Sequence, residues 1–471
     1  MNIFFEYQIK YYYGSFLENK TERETFKSVL NKLWVDRKQF GLTSVYFDEE
    51  NQTEQQFFTF YDTYIKAGKY IGTIKYGDTI IQILPKTLEN GSKKYSETAL
   101  LEVANKNLLW WLSRCSKVNF PKTFSGWNTR SFSFIDILIH LFATLTRDDL
   151  IYNKHQSYIE KEESIGTLRG RVDFAKYSKN YFTGYSHVLP CVYDALEIDN
   201  LYNQIIKFTS KLLLQNTNNE EIKKVLQEII WILDDVEDMY LTSKDCERIV
   251  ISPLNDNMKI IIDYCKMFLS GMSIKTDDNE HEIFTFLIPT DKLFEDFLFG
   301  YIKDEFQYSP GIKDIQSQGD REGKQRPLAE EKDETGRVLN RSFRLKPDIY
   351  ISKASGDIIL DTKYKAIYTK EEALENNQNK NGVSISDIYQ MLAYTVKLEV
   401  KTCHLLYPDI LGVNNTLGTH YEIKHENEQI VSKVYYHRLP TLIHNEVGEL
   451  SEIIDNKEKQ LLNRLKEIID S

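Results

Sequence analysis

Apolar and polar residues alternate in two adjacent runs near position 80. Tyr70-Ile71-Gly72-Thr73-Ile74 and Thr79-Ile80-Ile81-Gln82-Ile83-Leu84 flank Tyr76-Gly77-Asp78 and stop at Pro85, which predicts a β-hairpin over 70–84. The period then lengthens. Leu100, Leu101, Val103, Leu108 and Leu112 predict a helix from Glu97 to Ser113, and a stretch apolar nearly all round, Phe132 to Thr146, predicts a buried one. Helical spacing carries on through the middle of the chain, from Ile198 to about Gln215, Glu220 to Val236 and Leu254 to Leu269. Between these groups, Gly166 to Phe174 is a short basic stretch that reads as a turn and a strand.

After Pro289 the pattern changes again. Leu293, Phe294, Phe297, Leu298, Tyr301 and Ile302 mark a helix from Asp291 to Phe306, and the charged stretch Gln318 to Asn340 reads as a long surface loop. Ile349-Tyr350-Ile351 and Ile358-Ile359-Leu360, parted by Gly356-Asp357, predict a second hairpin. A polar loop (Lys370 to Ser386), a helix from Asp387 to about Lys397 and a strand from Thr402 to Tyr407 follow. The expected fold class is therefore multi-domain α/β. A mixed α/β region spans 1–155, a mostly helical connecting region 156–285, a small α/β domain 286–425, and a strand/helix extension 426–471.

Composition narrows the setting. With 41% hydrophobic and 27% charged residues the chain is neither disordered nor membrane-spanning, and no run approaches the roughly 18 apolar residues of a transmembrane helix. Glu6 and Lys10 interrupt the first apolar stretch, unlike a signal peptide. Cys115, Cys191, Cys246, Cys265 and Cys403 form no C-x-x-C pair and point to buried thiols in a reducing cytoplasm. A net charge of −11 argues against indiscriminate coating of nucleic acid, which draws on clustered Lys and Arg.

The candidate chemistry lies in the second hairpin. Alternation along a strand puts Asp361 and Lys363 on one face, and Asp348, after Pro347 at the start of the neighbouring strand, can lie across from them. The triplet alone is common: Asp36-Arg37-Lys38, Asp455-Asn456-Lys457 and Glu330-Glu331-Lys332 share its charges without a preceding apolar strand. Hydrolysing a phosphodiester requires charge neutralisation and an activated water, which Mg²⁺ held by a few carboxylates can supply. Asp348 and Asp361 suit such an ion, the Thr362 carbonyl is a plausible third ligand, and Glu295 on the preceding helix is either a further carboxylate or a solvated side chain. Lys363 is the expected catalytic ammonium. Gln390 and Tyr394, four apart, share a helix face, although Asp387-x-x-Gln390 also fits a capping box. Gly14 to Thr21 approaches a P-loop, but Asn19 replaces the second glycine and Glu18 would repel phosphate, so this segment is expected to lead into a helix. His404 and His420 are read as structural.

Pro347-Asp348, Asp361-x-Lys363 and Gln390-x-x-x-Tyr394 together resemble a PD-(D/E)xK nuclease core. More narrowly, LDTKYK (360–365) followed by DIYQMLAY (387–394) resembles the McrC family, the nuclease subunit of McrBC-type 5-methylcytosine restriction systems. YIGTIKYGDTIIQILPK (70–86), LRGRVDF (168–174) and LFEDFLFGYI (293–302) fit the same family. The resemblance implies a restriction-endonuclease-like C-terminal domain that cuts double-stranded DNA. It implies Mg²⁺ as cofactor, with Mn²⁺ as a substitute, and catalytic roles for Asp348, Asp361, Lys363 and Gln390. It also implies an N-terminal portion that docks on and stimulates a hexameric AAA+ GTPase of McrB type, with hairpin 70–84 as the expected inserting element. Two alternatives are a stand-alone repair or recombination nuclease and a non-catalytic activator of an AAA+ NTPase.

Overall fold

The computed structural model describes residues 2–37, 46, 54–77, 79–91, 95–118, 120, 133–153, 155–250, 256–272, 283–317, 327–367, 382–411, 418–424, 430–444, 446 and 448–470. The chain divides into two compact units. One holds Met1–Lys38, Thr43–Phe132 and Thr285–Ser471, the other Gln39–Leu42 and Ser133–Phe284.

In the first unit the hairpin expected at 70–84 forms as Tyr70–Tyr76 and Thr79–Leu84, paired antiparallel. It does not project. Asn2–Phe5 pairs parallel along one edge and Ile283–Pro289 adds at the other, giving a four-stranded sheet. Gly72, at φ +131°, allows the close approach of this last strand, since a Cβ there would lie 1.9 Å from the Phe286 carbonyl oxygen. Ile71, Ile74, Ile81 and Ile83 are buried, so this hairpin has little free face to insert into a partner.

The helices Glu97–Arg114 and Thr290–Phe306 pack side by side, with Trp111 stacked on Phe297. The C-terminal helix Leu450–Asp470 locks them together. Its Glu458 accepts from the Trp110 indole at 3.0 Å and pairs with Arg114, and its carbonyl accepts from the Tyr301 hydroxyl at 2.8 Å. Asn107 adds two bonds to the backbone of Ile443, at 2.9 and 2.7 Å. Distant stretches of sequence are thus joined by buried polar contacts as well as apolar ones.

Six strands of this unit form the sheet that carries the candidate site, in the order Ile312–Ser317, Ile349–Lys353, Ile358–Thr362, Thr402–Pro408, Ile430–Leu439 and Gly418–Lys424. Ile358–Thr362 pairs antiparallel with Ile349–Lys353 and parallel with Thr402–Pro408, and all five of its residues are buried. Such a strand needs apolar residues on both faces. On one face Tyr350, Ile359, Cys403, Leu405, Val434 and Tyr436 pack against Met391, Tyr394 and Leu398 of the helix Ile385–Leu398. Gln318–Asn340, expected as a loop, differs: Pro327–Lys332 and Val338–Arg344 pair as an exposed hairpin, and 318–326 lies outside the described residues. Its strands are charged on both faces, which hides a period of two.

The second unit packs the helices Phe134–Tyr152, Leu201–Asn216, Glu220–Ile232 and Asp256–Met272. A three-stranded sheet, Ser157–Ile165, Leu189–Glu197 and Arg171–Val172 in that order, grows from it. The expected turn and strand are present there, with Gly170 at φ +65° turning into Arg171–Val172. The short helix Phe174–Phe182 that follows has no buried residue, and Phe174, Tyr181 and Phe182 are 75, 61 and 87% exposed.

Gly14 to Thr21 behaves as a helix start. Asn19 caps Lys20–Asp36 by accepting from the Thr21 N–H at 2.8 Å, and Glu18 accepts from the Gly14 N–H at 3.1 Å. The five cysteines are free and buried. No helix among the described residues is long and apolar enough to cross a membrane.

Candidate active site

The site sits where the Ile358–Thr362 strand ends. Ile359 and Asp361 share the face covered by the Ile385–Leu398 helix, so the apolar row closes in a carboxylate that is fully buried. Lys363, two residues on, reaches back along the same face and pairs with Asp361. The register Ile349↔Leu360 places Asp348 opposite Asp361. Asp348 is itself fixed, accepting from the Thr362 N–H at 2.8 Å and from its hydroxyl at 2.7 Å.

The covering helix supplies the next layer. The Lys363 ammonium donates to Gln390 Oε1 at 3.0 Å, while Gln390 Nε2 donates to the Tyr394 hydroxyl at 2.8 Å and to Asp361 Oδ1 at 3.4 Å. The Tyr394 hydroxyl in turn donates to the Lys346 carbonyl at 3.0 Å. The expected Asp387-x-x-Gln390 capping box is not what forms. Ser384 is the N-cap and Asp387 its reciprocal partner, so the helix starts two residues early and Gln390 is released to face Lys363. Ser384 lies in the stretch read as a loop, which is why the sequence pointed two residues too late. Asp387 also pairs with Lys365, which ties the helix start to the segment just past Lys363.

Glu295, on the Thr290–Phe306 helix, is brought to the same place. It pairs with Lys292 at 3.3 Å, and its neighbour Asp296 anchors the helix by accepting from Ser116 Oγ at 2.6 Å, the Lys117 N–H at 3.1 Å and the Tyr46 hydroxyl at 2.8 Å. Asp296 lacks any distinguishing sequence signal beyond adjacency to Glu295.

Electrostatics bind the set together. Burial, then the charge of Asp348, pushes the Asp361 carboxyl up to about 7 against the pull of Lys363. Burial and Asp348 likewise push Glu295 up to about 7, against Lys292 and Lys117. For Lys363 burial acts downward, but Asp361, Asp348 and Asp387 outweigh it and raise the ammonium above its ordinary value. Burial and the charge of Asp348 thus raise both Asp361 and Glu295, a strain that a hard divalent cation among these oxygen donors would relieve. The carboxyls are not gathered into a ligand cluster: among the described residues no three His, Cys, Asp or Glu side chains stand in ligating arrangement.

His404 and His437, by contrast, lie buried on neighbouring parallel strands, with Nδ1 of one 3.0 Å from Nε2 of the other and both rings against Tyr435. His404, read from the sequence as structural, is buried and paired with His437.

A buried carboxylate–lysine–glutamine constellation at the end of a mixed-sheet strand defines an α/β protein with a polar site set into its sheet. A sequence profile of the family described as "McrBC 5-methylcytosine restriction system component" matches residues 65–408, and the chain belongs to that family. No curated protein matches it. A chain of the refined half-complex from the tetradecameric assembly of Thermococcus gammatolerans McrB AAA+ hexamers with bound McrC has the same fold. Its TM-score is 0.66 at 17% identity, covering 98% of this chain and 99% of that one. A chain of the cryo-EM structure of the Thermococcus gammatolerans McrBC complex aligns at TM-score 0.48 and 18% identity, covering 64% of this chain and 86% of that one. The McrC resemblance of the sequence thus holds at the level of the family.

Proposed function

We propose that this chain is the Mg²⁺-dependent DNA endonuclease subunit of a GTP-driven, McrBC-type restriction complex directed at modified DNA. It acts in the cytoplasm in defence against foreign or phage DNA. The observation that carries the reading is the meeting of Asp348, Asp361, Lys363 and Gln390 at one strand end, with the six-stranded sheet as a PD-(D/E)xK core. Asp348, Asp361 and the Thr362 carbonyl would hold Mg²⁺, or Mn²⁺ in its place, with Glu295 as an added carboxylate. When bound, the ion supplies a polarised phosphoryl oxygen and a more acidic water.

The chain's own residues do the rest. Lys363 holds the attacking water and offsets negative charge developing on the phosphate oxygens. Gln390 fixes the Lys363 ammonium, and Tyr394 fixes Gln390. Thr362 keeps the Asp348 carboxylate aimed through two hydrogen bonds.

The partner is a hexameric AAA+ GTPase of McrB type, which this chain stimulates. The exposed rings of Phe174, Tyr181 and Phe182 support a contact through the 157–197 segment, since monomeric surfaces rarely leave such an apolar group open. The 70–84 hairpin, largely buried between two further strands, is the weaker candidate for that contact. Membership of an McrBC family weighs against the stand-alone nuclease. In the test, full chain and partner are mixed with GTP and methylated duplex DNA. Cleavage with Mg²⁺ that stops on chelation is expected, and cleavage that persists in chelator rejects the reading.

A further inference from the structure

Not every cation around the site comes from the C-terminal sheet: two come from the N-terminal stretch, one packed on Tyr364 next to Lys363 and one whose charge acts on Glu295. Lys86 lies just beyond the Thr79–Leu84 strand, and its ammonium rests over the rings of Tyr364 at 4.8 Å and Tyr7 at 5.0 Å. Tyr364 falls between Lys363 and Lys365, and its ring is set by Phe294 at 5.7 Å and Trp111 at 6.2 Å. Lys86 is therefore held beside the end of the catalytic strand by a ring belonging to that strand's own continuation. Two aromatic faces hold this ammonium, and no carboxylate pairs with it among the described residues. Glu6, whose charge acts on Lys86, makes its hydrogen bonds elsewhere: Oε1 accepts from the Thr290 hydroxyl at 2.7 Å and Oε2 from the Lys86 backbone N–H at 3.0 Å. Burial lowers the Lys86 pKa, Glu6 and Asp291 oppose this, and Lys365 adds to it.

Lys117 is the second. It is exposed, and its backbone N–H donates to Asp296, the residue after Glu295, at 3.1 Å. Its charge is felt by the Glu295 carboxyl. Like Lys86 it comes from the N-terminal stretch but belongs to the same compact unit as the site.

We propose that Lys86 and Lys117 contact the phosphodiester backbone of duplex DNA beside the carboxylates, so that the N-terminal stretch supplies part of the DNA-binding face. This rests on the nuclease reading above. A chain with a net charge of −11 and three carboxyls at its site must offset phosphate repulsion locally. A cation held on ring faces, with no carboxylate in ion-pair contact among the described residues, is placed to do so.

Each lysine that neutralises one phosphate contributes about 0.9 to the slope of log affinity against log salt. The test uses the full chain assembled with its AAA+ partner, carrying Asp361→Asn to prevent cleavage, and a labelled DNA duplex. Affinity is measured between roughly 0.05 and 0.2 M salt. Lys86→Met or Lys117→Met should each make the slope shallower by about 0.9, and together they should cut the affinity loss over that range by about 12-fold. Lys86→Arg should keep the parent slope. Should Lys86→Met not fold, Lys117→Met decides alone. An unchanged slope, with the parent's melting temperature, overturns the lysine contacts. If Asp361→Asn has abolished cleavage, the nuclease reading survives that result. An assembled wild-type complex that neither binds nor cuts the duplex sinks both.

Discussion

Two segments of this chain depart from ordinary burial in opposite directions. At the end of Ile358–Thr362 a carboxylate is fully buried, while on Phe174–Phe182 large aromatic rings face outward. Burying a charge costs several kcal/mol before its partners compensate, and leaving an aromatic ring in water forgoes roughly 25 cal/mol per Å². Folding alone rewards neither arrangement. Local departures of this kind mark sites kept for another purpose. The first departure is inward and polar, which suits chemistry; the second is outward and apolar, which suits a partner.

The comparison can be broken most severely at the buried end. Asp361→Asn preserves shape but removes the charge that Lys363 and the proposed metal require. DNA cleavage by the assembled complex should fall by at least about 100-fold, as measured by initial rates on methylated duplex. A residual rate within tenfold of the parent would remove Asp361 from the catalytic set.

At the outward end, replacing Phe174, Tyr181 and Phe182 together by Ser should hardly change the melting temperature, because all three are mostly exposed and the ring contacts of Tyr181 are confined to Tyr177 and Phe182. Binding to the AAA+ partner should weaken by at least about 30-fold, the effect of losing a contact hot spot of about 2 kcal/mol. Calorimetry or fluorescence titration gives the number. Parent affinity in the triple variant would move the partner contact elsewhere.

A smaller effect is expected at Gln390, whose side chain holds Lys363 without touching the proposed metal. Gln390→Ala removes hydrogen bonds worth about 1–2 kcal/mol in a buried setting, hence a loss of roughly tenfold in kcat. Its KM for DNA should hardly move. A change confined to KM would assign Gln390 to DNA binding instead.

An effect on stability, with none expected on cleavage, sharpens the contrast between the site and the histidine pair on the same sheet. Burial pushes His404 down to about 3, helped by Lys353, and burial with His404 and Arg464 does the same to His437. In the unfolded chain both titrate near about 6.5. Above that pH both states are neutral and the pair leaves stability unchanged. As pH falls from about 6.5 towards 3, the unfolded chain binds protons the folded chain refuses, so stability declines by up to roughly 1.4 kcal/mol per pH unit for each ring. His437→Gln should flatten the fall of melting temperature below pH 6.5. An equally steep fall in that variant would exclude the pair as a source of acid sensitivity.

How much of this was legible in the sequence depended on distance along the chain. The 346–365 hairpin was readable because two apolar runs are separated by a Gly-Asp turn, so Asp348, Asp361 and Lys363 could be placed together from local geometry alone. The hairpin at 70–84 was readable as a hairpin but not as the interior of a sheet. Its covering strands, Asn2–Phe5 and Ile283–Pro289, lie far away in sequence. Gln390 was found, yet its freedom from the helix cap was not, because Ser384 sits among polar residues that carry no period. The His404–His437 pair was hidden for a related reason: the two rings meet only because parallel strands 33 residues apart come into register. The exposed rings of Phe174–Phe182 had a helical spacing, but exposure is a property of what is missing around a helix, and periodicity does not report it. A cut after residue 285 would also pass through the Ile283–Pro289 strand, so substitutions in the full chain serve better than a truncation.

The most direct measurement records DNA cleavage and GTP hydrolysis in the same samples, with the AAA+ partner and either Asp361→Asn or the Phe174/Tyr181/Phe182→Ser variant. A nuclease subunit with separate chemical and partner-facing regions predicts that Asp361→Asn loses cleavage and still stimulates GTP hydrolysis fully, while the triple variant loses both. Full GTPase stimulation by the triple variant, or undiminished cleavage by Asp361→Asn, would contradict that division.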